Sequence, residues 1–326
     1  MKEEEIRSQD ALKQYLTLVE ADVKDFFDFA SFIFIPCPAC SSWDFHHEFD
    51  KLGFNYVSCQ RCHTLYVNPR PTFQTLRGFY SQAPSTTFWV NYFFKPVAEK
   101  RREKIFKPRA EYVAERLGRI QKWAIGDIGA GFGLFIEELR RLLPENDYYA
   151  IEPSIDMAEI CRNKGVEVKC SCLEDVDAME GTFHLLTSYE LIEHLFDPVA
   201  FLNDVHRLLK PDGFFLFTTL NAKGFDIQML WEKSKALSPP HHLNFLNPFS
   251  IRLLLDNLGF KDIEVTTPGK LDWDIVEGMI RNEKIDVGRF WQQLAYERSD
   301  TSKAEFQNWI SRNDLSSHMM VLTRKG

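Results

Sequence analysis

Hydrophobic and polar positions change their period along the chain. Residues 1–35 carry Leu12, Leu16 and Val19 at helical spacing within a polar stretch, which predicts a helical arm. Residues 36–72 read as a short hairpin-like unit rich in turn residues. Residues 73–122 read as helical, with Phe79-Tyr80 and an aromatic run from Phe88 to Phe94. From Trp123 onwards short apolar runs alternate with helical patterns. The runs fall near 123–128, 147–152, 166–170, 183–188, 213–220, 261–266 and 317–324. That alternation predicts an α/β fold, a doubly wound, mostly parallel, Rossmann-like sheet over 123–326. Residues 272–312 read as helices inserted between the last two strands, where they would cap the carboxyl edge of the sheet, the edge at which ligands bind.

The first of these strands ends in Asp127-Ile128-Gly129-Ala130-Gly131-Phe132-Gly133, and the helical pattern LFIEELRRLL follows. Glycine backbone can approach a ligand closely, and a helix N-terminus offers unpaired N–H groups, so a nucleotide-like cofactor is expected here. A dinucleotide fingerprint needs a third glycine at position 134, which is Leu134. A phosphate loop needs a Gly-Lys-Ser/Thr that is missing. What remains is Asp127 ahead of the turn and Glu152 at the end of the next strand, about 20 residues on, where a carboxylate grips both ribose hydroxyls.

With these residues in view, the chain resembles the class I S-adenosylmethionine-dependent methyltransferases. GDIGAGFG, AIEPS, LLTSYELIEHLFDP and LLKPDGFFLFTTLN stand in the family's order over roughly 123–266. The resemblance implies that Asp127, Gly129, Ala130 and Gly131 line the methionine end of the cofactor. Glu152, with Pro153, holds the ribose, and Cys172, Leu173 and Glu174 border the adenine. Tyr189 and Glu190 touch the cofactor's amino-acid end or the substrate. It also implies that the last strand inserts antiparallel. Where the family has Phe-Asp this chain has Phe183-His184, for which a local rearrangement without loss of activity is expected.

Cys37-Pro38-Ala39-Cys40 and Cys59-Gln60-Arg61-Cys62 are two C-x-x-C pairs with eighteen residues between them. Each pair can form a knuckle, and the stretch between them a hairpin that brings four thiolates around one tetrahedral zinc. A closed shell of four sulfurs is structural. His63 is a conceivable substitute ligand; His46 and His47 are expected on the exposed hairpin, and Cys161 in the core. A CPxC…CxxC ribbon running into YVNPRPT resembles a bacterial subfamily whose members methylate small molecules, nucleotide-linked sugars among them. The resemblance leaves the acceptor open.

A net charge of −8 argues against general nucleic-acid binding. The polar N-terminus is no export signal and the apolar run 26–35 is too short to span a bilayer, so a cytoplasmic protein is expected, with its seven cysteines as thiols or metal ligands. The basic segment Lys95, Lys100, Arg101, Arg102, Lys104, Lys107 and Arg109 is either a charged helix face or a phosphate-holding patch.

Methyl transfer to oxygen or carbon needs a proton acceptor, and histidine suits it. His242 in SPPHHLNF is the first candidate, His241 the second, and Tyr189 lies beside the transferred group by family geometry. Glu193 and His194 are expected to cap or orient the next helix; a metal there lacks a visible third ligand. The expected function is a methyltransferase acting on a small molecule, with no nucleic acid or membrane partner. The alternatives are an RNA or protein methyltransferase that uses the ribbon for recognition, or a non-catalytic cofactor-binding protein.

Overall fold

The computed structural model describes residues 2–118, 121–177 and 179–326; residues 1, 119, 120 and 178, at the start of the expected arm, in the expected linker and near the expected adenine side, lie outside the described residues, as does the Phe93 side chain. Strands are β1 Phe45–Lys51, β2 Phe54–Cys59, β3 Leu65–Val67, β4 Ala124–Ile128, β5 Asp147–Ile151, β6 Glu167–Lys169, β7 Phe183–Tyr189, β8 Leu209–Leu220, β9 Asn244–Phe245, β10 Phe260–Thr266 and β11 His318–Lys325. They form a seven-stranded sheet, β10-β11-β8-β7-β4-β5-β6, and a four-stranded sheet, β1-β2-β3-β9.

In the large sheet β6, β5, β4, β7 and β8 are mutually parallel. β11 runs antiparallel to both β8 and β10. From β4 the chain winds outward to β6, then returns to the other side of β4 as β7. The two directions part between β4 and β7, which makes that crevice the ligand position of such sheets. Because β11 is inverted, its first residue, His318, lies opposite Leu220 and so reaches the same edge as the ends of the parallel strands.

Local chemistry sets these elements. Gly129, Gly131 and Gly133 adopt φ of +71°, +55° and +66°, which L side chains rarely tolerate, so the turn after β4 needs glycine. The helix Leu134–Leu142 then buries Leu134, Phe135, Ile136 and Leu139 against the sheet. Cys161 is buried beside this turn, its thiol donating to the Gly131 carbonyl. The Phe183-His184 departure coincides with a register shift between β7 and β8. There His184 Nδ1 accepts the Ala124 N–H at 3.0 Å and its ring stacks on Trp123.

The arm forms the helix Gln9–Phe26, capped by Ser8, with Leu12, Tyr15, Val19 and Val23 buried. It is pinned at its far end, where the Asp22 carboxylate accepts the Ser85 N–H at 2.9 Å. The inserted helices are Asp272–Asn282, Arg289–Glu297 and Asp300–Arg312. Asp272 ties them to the carboxyl edge by accepting from the Ser316 hydroxyl and the Ser317 N–H, just before β11.

The small sheet is joined to the large body in ways its own sequence did not signal. Its fourth strand, β9, comes from the segment after β8. Arg70, fully buried, donates to the Val67 and Phe196 carbonyls and to Asn244 Oδ1. Asn247 donates to the Cys62 and His63 carbonyls while capping the helix Pro248–Asn257.

Candidate functional site

Asp127 sits on β4, one residue before its end, and accepts the Thr187 hydroxyl from β7 at 2.7 Å. Burial lifts its carboxyl to about 7, against the opposing pull of Thr187 and Arg109. Glu152 follows β5. Its Oε2 accepts the Gly131 N–H at 2.8 Å and its Oε1 the Ser154 N–H at 2.9 Å, so it braces the glycine turn. Burial raises this carboxyl too, and the two N–H groups oppose the rise. Each oxygen keeps a further lone pair, enough to accept a pair of vicinal hydroxyls. Gly129 and Pro153 are exposed, and Ala130 and Gly131 partly so. Beyond β6, Cys172 is partly exposed and Leu173 buried; burial, Glu174, Asp175 and Glu152 raise the Cys172 thiol.

Across the crevice, Tyr189 and Glu190 end β7. Glu190 holds φ at +53°, a strained value for a non-glycine residue and common at functional sites. Its Oε1 accepts from Arg109 at 2.9 Å and Thr218 at 2.7 Å, and lies 3.3 Å from His318 Nδ1. Burial works against its charge, but His318, Arg109 and Thr218 hold it at about 2. The Arg109 guanidinium also covers the Tyr189 ring, 4.5 Å from its centroid. The Tyr189 hydroxyl is buried and has no hydrogen-bond partner among the described residues. Two carboxylates braced on one wall and a charged cluster on the other suit a ligand with a polyhydroxylated ring at one end and ionic groups at the other.

The family of methyltransferase domains matches the chain over residues 97–265. The chain belongs to that family. Its domain is that of a class I S-adenosylmethionine-dependent methyltransferase. A ubiquinone biosynthesis O-methyltransferase from Parvibaculum lavamentivorans is 36% identical over 101 residues, 29% of this chain and 39% of that protein. One from Xanthomonas euvesicatoria is 30% identical over 166 residues, 47% of this chain and 68% of its own length. The matched stretch thus spans from under half to about two thirds of these relatives. Among solved structures, a SAM-dependent methyltransferase from Archaeoglobus fulgidus matches 71% of this chain and all of its own, at 14% identity and a TM-score of 0.48. Among the described residues, no helix is long and apolar enough to cross a membrane.

In this methyltransferase a histidine cluster draws on distant segments of the chain. His194 packs edge-on against His242, ring centroids 4.6 Å apart, and Tyr80 donates its hydroxyl to the His241 carbonyl and lies 3.3 Å from His194 Nδ1. His242 Nδ1 is 2.6 Å from the Ala236 carbonyl. A carbonyl only accepts, so Nδ1 carries the proton and Nε2 is left as a base. Burial lowers the His242 pKa, against the Ala236 hydrogen bond and Glu190. His241 is different: burial drops it to about 3, its Nε2 is closed off and unbonded, and Tyr15, Phe79 and Tyr80 surround its ring. This packing makes it a poor proton acceptor.

The expectation that Glu193 and His194 cap the next helix is corrected: Asp197 caps it, accepting the Val199 and Ala200 N–H groups. Glu193 is buried and accepts the Thr219 hydroxyl at 2.8 Å. The third ligand the sequence lacked is His242, since ligand atoms of Glu193, His194 and His242 lie within 4.8 Å of one another.

The Cys37, Cys40, Cys59 and Cys62 sulfurs also fall within 4.8 Å of one another, with Cys37–Cys62 at 3.4 Å and Cys40–Cys59 at 3.5 Å. A tetrahedral zinc with bonds of about 2.3 Å needs sulfurs about 3.8 Å apart, so the donor set fits. The knuckles repeat each other: Ser41 N–H donates to the Cys37 carbonyl, His63 N–H to that of Cys59, and Ser41 and His63 both take φ of +58°. His63 turns the second knuckle and is exposed, and His46 and His47 are exposed on β1.

Proposed function

We propose that the protein transfers the methyl group of S-adenosylmethionine to a small-molecule acceptor, within a body braced by a structural zinc. The observation that carries this reading is the crevice between β4 and β7, with Asp127 and Glu152 beside the glycine turn and the His194–His242 cluster beyond Glu190. When bound, the cofactor supplies an electrophilic methyl on a sulfonium, and the chain supplies alignment and a proton acceptor. Glu152 takes the ribose hydroxyls, with Pro153, Cys172 and Leu173 on the adenine side. Asp127, Gly129, Ala130 and Gly131 face the methionine end. Arg109 is the cation available to a carboxylate. His242 Nε2 accepts the acceptor's proton, and Tyr189 supports Arg109 through its ring and has no part in proton transfer.

In this reading residues 36–72 are a zinc ribbon, 123–326 the catalytic domain, and 1–35 and 73–122 an arm and linker that close over the site. A small acceptor is supported by the relatives, named as ubiquinone biosynthesis O-methyltransferases, and by an acidic chain ill-suited to RNA. A panel of phenols, quinols, nucleotide-linked sugars and RNA, read by S-adenosylhomocysteine release, tests it. Turnover on a small molecule is expected, falling about 100-fold or more in His242→Gln. Turnover on RNA alone would overturn the reading.

A further inference from the structure

Arg101 and Arg102 are neighbours with opposite fates. Arg102 pairs with Glu99, Glu137 and Glu138. Arg101 makes no ion pair among the described residues, and its Nε is shut from solvent without a hydrogen-bond partner. Its guanidinium lies 4.6 Å over the Phe94 ring, and that ring packs on Phe132 of the glycine turn at 5.1 Å. Arg101 therefore points towards the crevice, and Arg102 towards the helix Leu134–Leu142.

Arg7 comes to the same place from the arm, because it ends the short helix Glu3–Ile6, which packs against the helical turn Ala98–Arg101. Its Nη1 holds Glu3 at 3.0 Å, yet its Nε is also buried and unbonded. Burial, with repulsion from Arg7 and Arg109, brings Arg101 down to about 9 against the pull of Glu190, whose carboxylate is already taken by Arg109 and Thr218. Arg7 acts on His242 as well, and so does Glu190. Like charges gathered with one of them unpaired are unfavourable in a dry site unless an anion arrives. Guanidinium forks match phosphate oxygens two at a time. The cofactor carries a single carboxylate, for which Arg109 suffices.

We propose that Arg7 and Arg101 form an anion subsite that holds a phosphate group of the methyl acceptor, on the Phe94–Phe132 side of the crevice. This rests on reading the crevice as a methyltransferase site. It turns the arm from a structural prop into part of substrate recognition, and within the basic segment it separates the exposed Lys95, Lys100, Lys104 and Lys107 from the more buried Arg101 and Arg109.

Calorimetry with inorganic pyrophosphate, on the full chain saturated with S-adenosylhomocysteine, tests the subsite. Wild type should bind pyrophosphate. Arg101→Gln and Arg7→Gln should each weaken it about tenfold or more, Arg101→Lys should weaken it less, and S-adenosylhomocysteine affinity should stay within about twofold in all three. Pyrophosphate binding that is absent from wild type, or indifferent to both glutamine variants, overturns the subsite. So does a loss of S-adenosylhomocysteine affinity in Arg101→Gln with Arg7→Gln unchanged, since Arg101 would then serve the cofactor. Failure of wild type to bind S-adenosylhomocysteine, with pyrophosphate still bound through both arginines, sinks the methyltransferase reading and leaves the anion subsite standing.

Discussion

Burial lifts the Asp127 carboxyl to about 7, which in the proposed site ties its ionisation to cofactor binding. A cationic cofactor stabilises its ionised form and lowers that value. Binding then releases a proton, and affinity rises as pH rises through about 7 and levels off above it. Calorimetry in buffers of different ionisation enthalpy should show the proton release at pH 6.5 and its loss in Asp127→Asn. For the buried His241 pH is linked to folding and not to binding. His241 is held at about 3 against an ordinary 6.5, so its neutral form stabilises the fold above 6.5, and that contribution is lost as pH falls towards 3. Denaturant midpoints should therefore drop below pH 6.5, and less so in His241→Phe. Asp127 and the glycines were legible because one apolar run and its turn carry them all, and Glu152 because it ends the next apolar run at a spacing set by the strand–helix–strand unit. Arg109 was visible only as one charge in a basic run, and His318 not at all. Both reach Glu190 only after the sheet forms, Arg109 from the linker and His318 because β11 inverts.

At the scale of elements, the strand and helix runs read from periodicity correspond to those found, including the inserted helices between β10 and β11. β9 was missed because two residues carry no readable period. Its pairing with β3 matters because it makes the thiol unit part of the catalytic body. The misplaced cap has a similar cause. Glu193 and His194 precede a helix in sequence, but Leu195 and Phe196 intervene, and Asp197 ahead of Pro198 is the better cap. Two substitutions test the join. Cys59→Ser should lose the zinc and much of the unfolding free energy together, by metal analysis and denaturation of the same sample; full zinc content would contradict a four-thiolate site. Asn247→Ala should cost about 1–3 kcal/mol, because the Cys62 and His63 carbonyls and a helix start lose their partner at once. A loss within about 0.5 kcal/mol would mean that the knuckle is held by its own metal and hairpin.

For the whole molecule, the α/β class and the antiparallel end strand were anticipated, while the convergence of arm, linker and β8–β9 segment on one cluster was not. Tyr15, Tyr80, His194 and His241 are far apart in sequence and meet only through tertiary packing. Hydrophobic pattern reports which face of an element is buried but not what it is buried against. The central claim is that the crevice between β4 and β7 receives S-adenosylmethionine. Titrating it by calorimetry into wild type and Asp127→Ala, with zinc measured in both, tests that claim most directly. The account predicts one site per chain in wild type, affinity reduced at least about tenfold in the variant, and equal zinc. No binding to wild type, or equal binding to both, would contradict it.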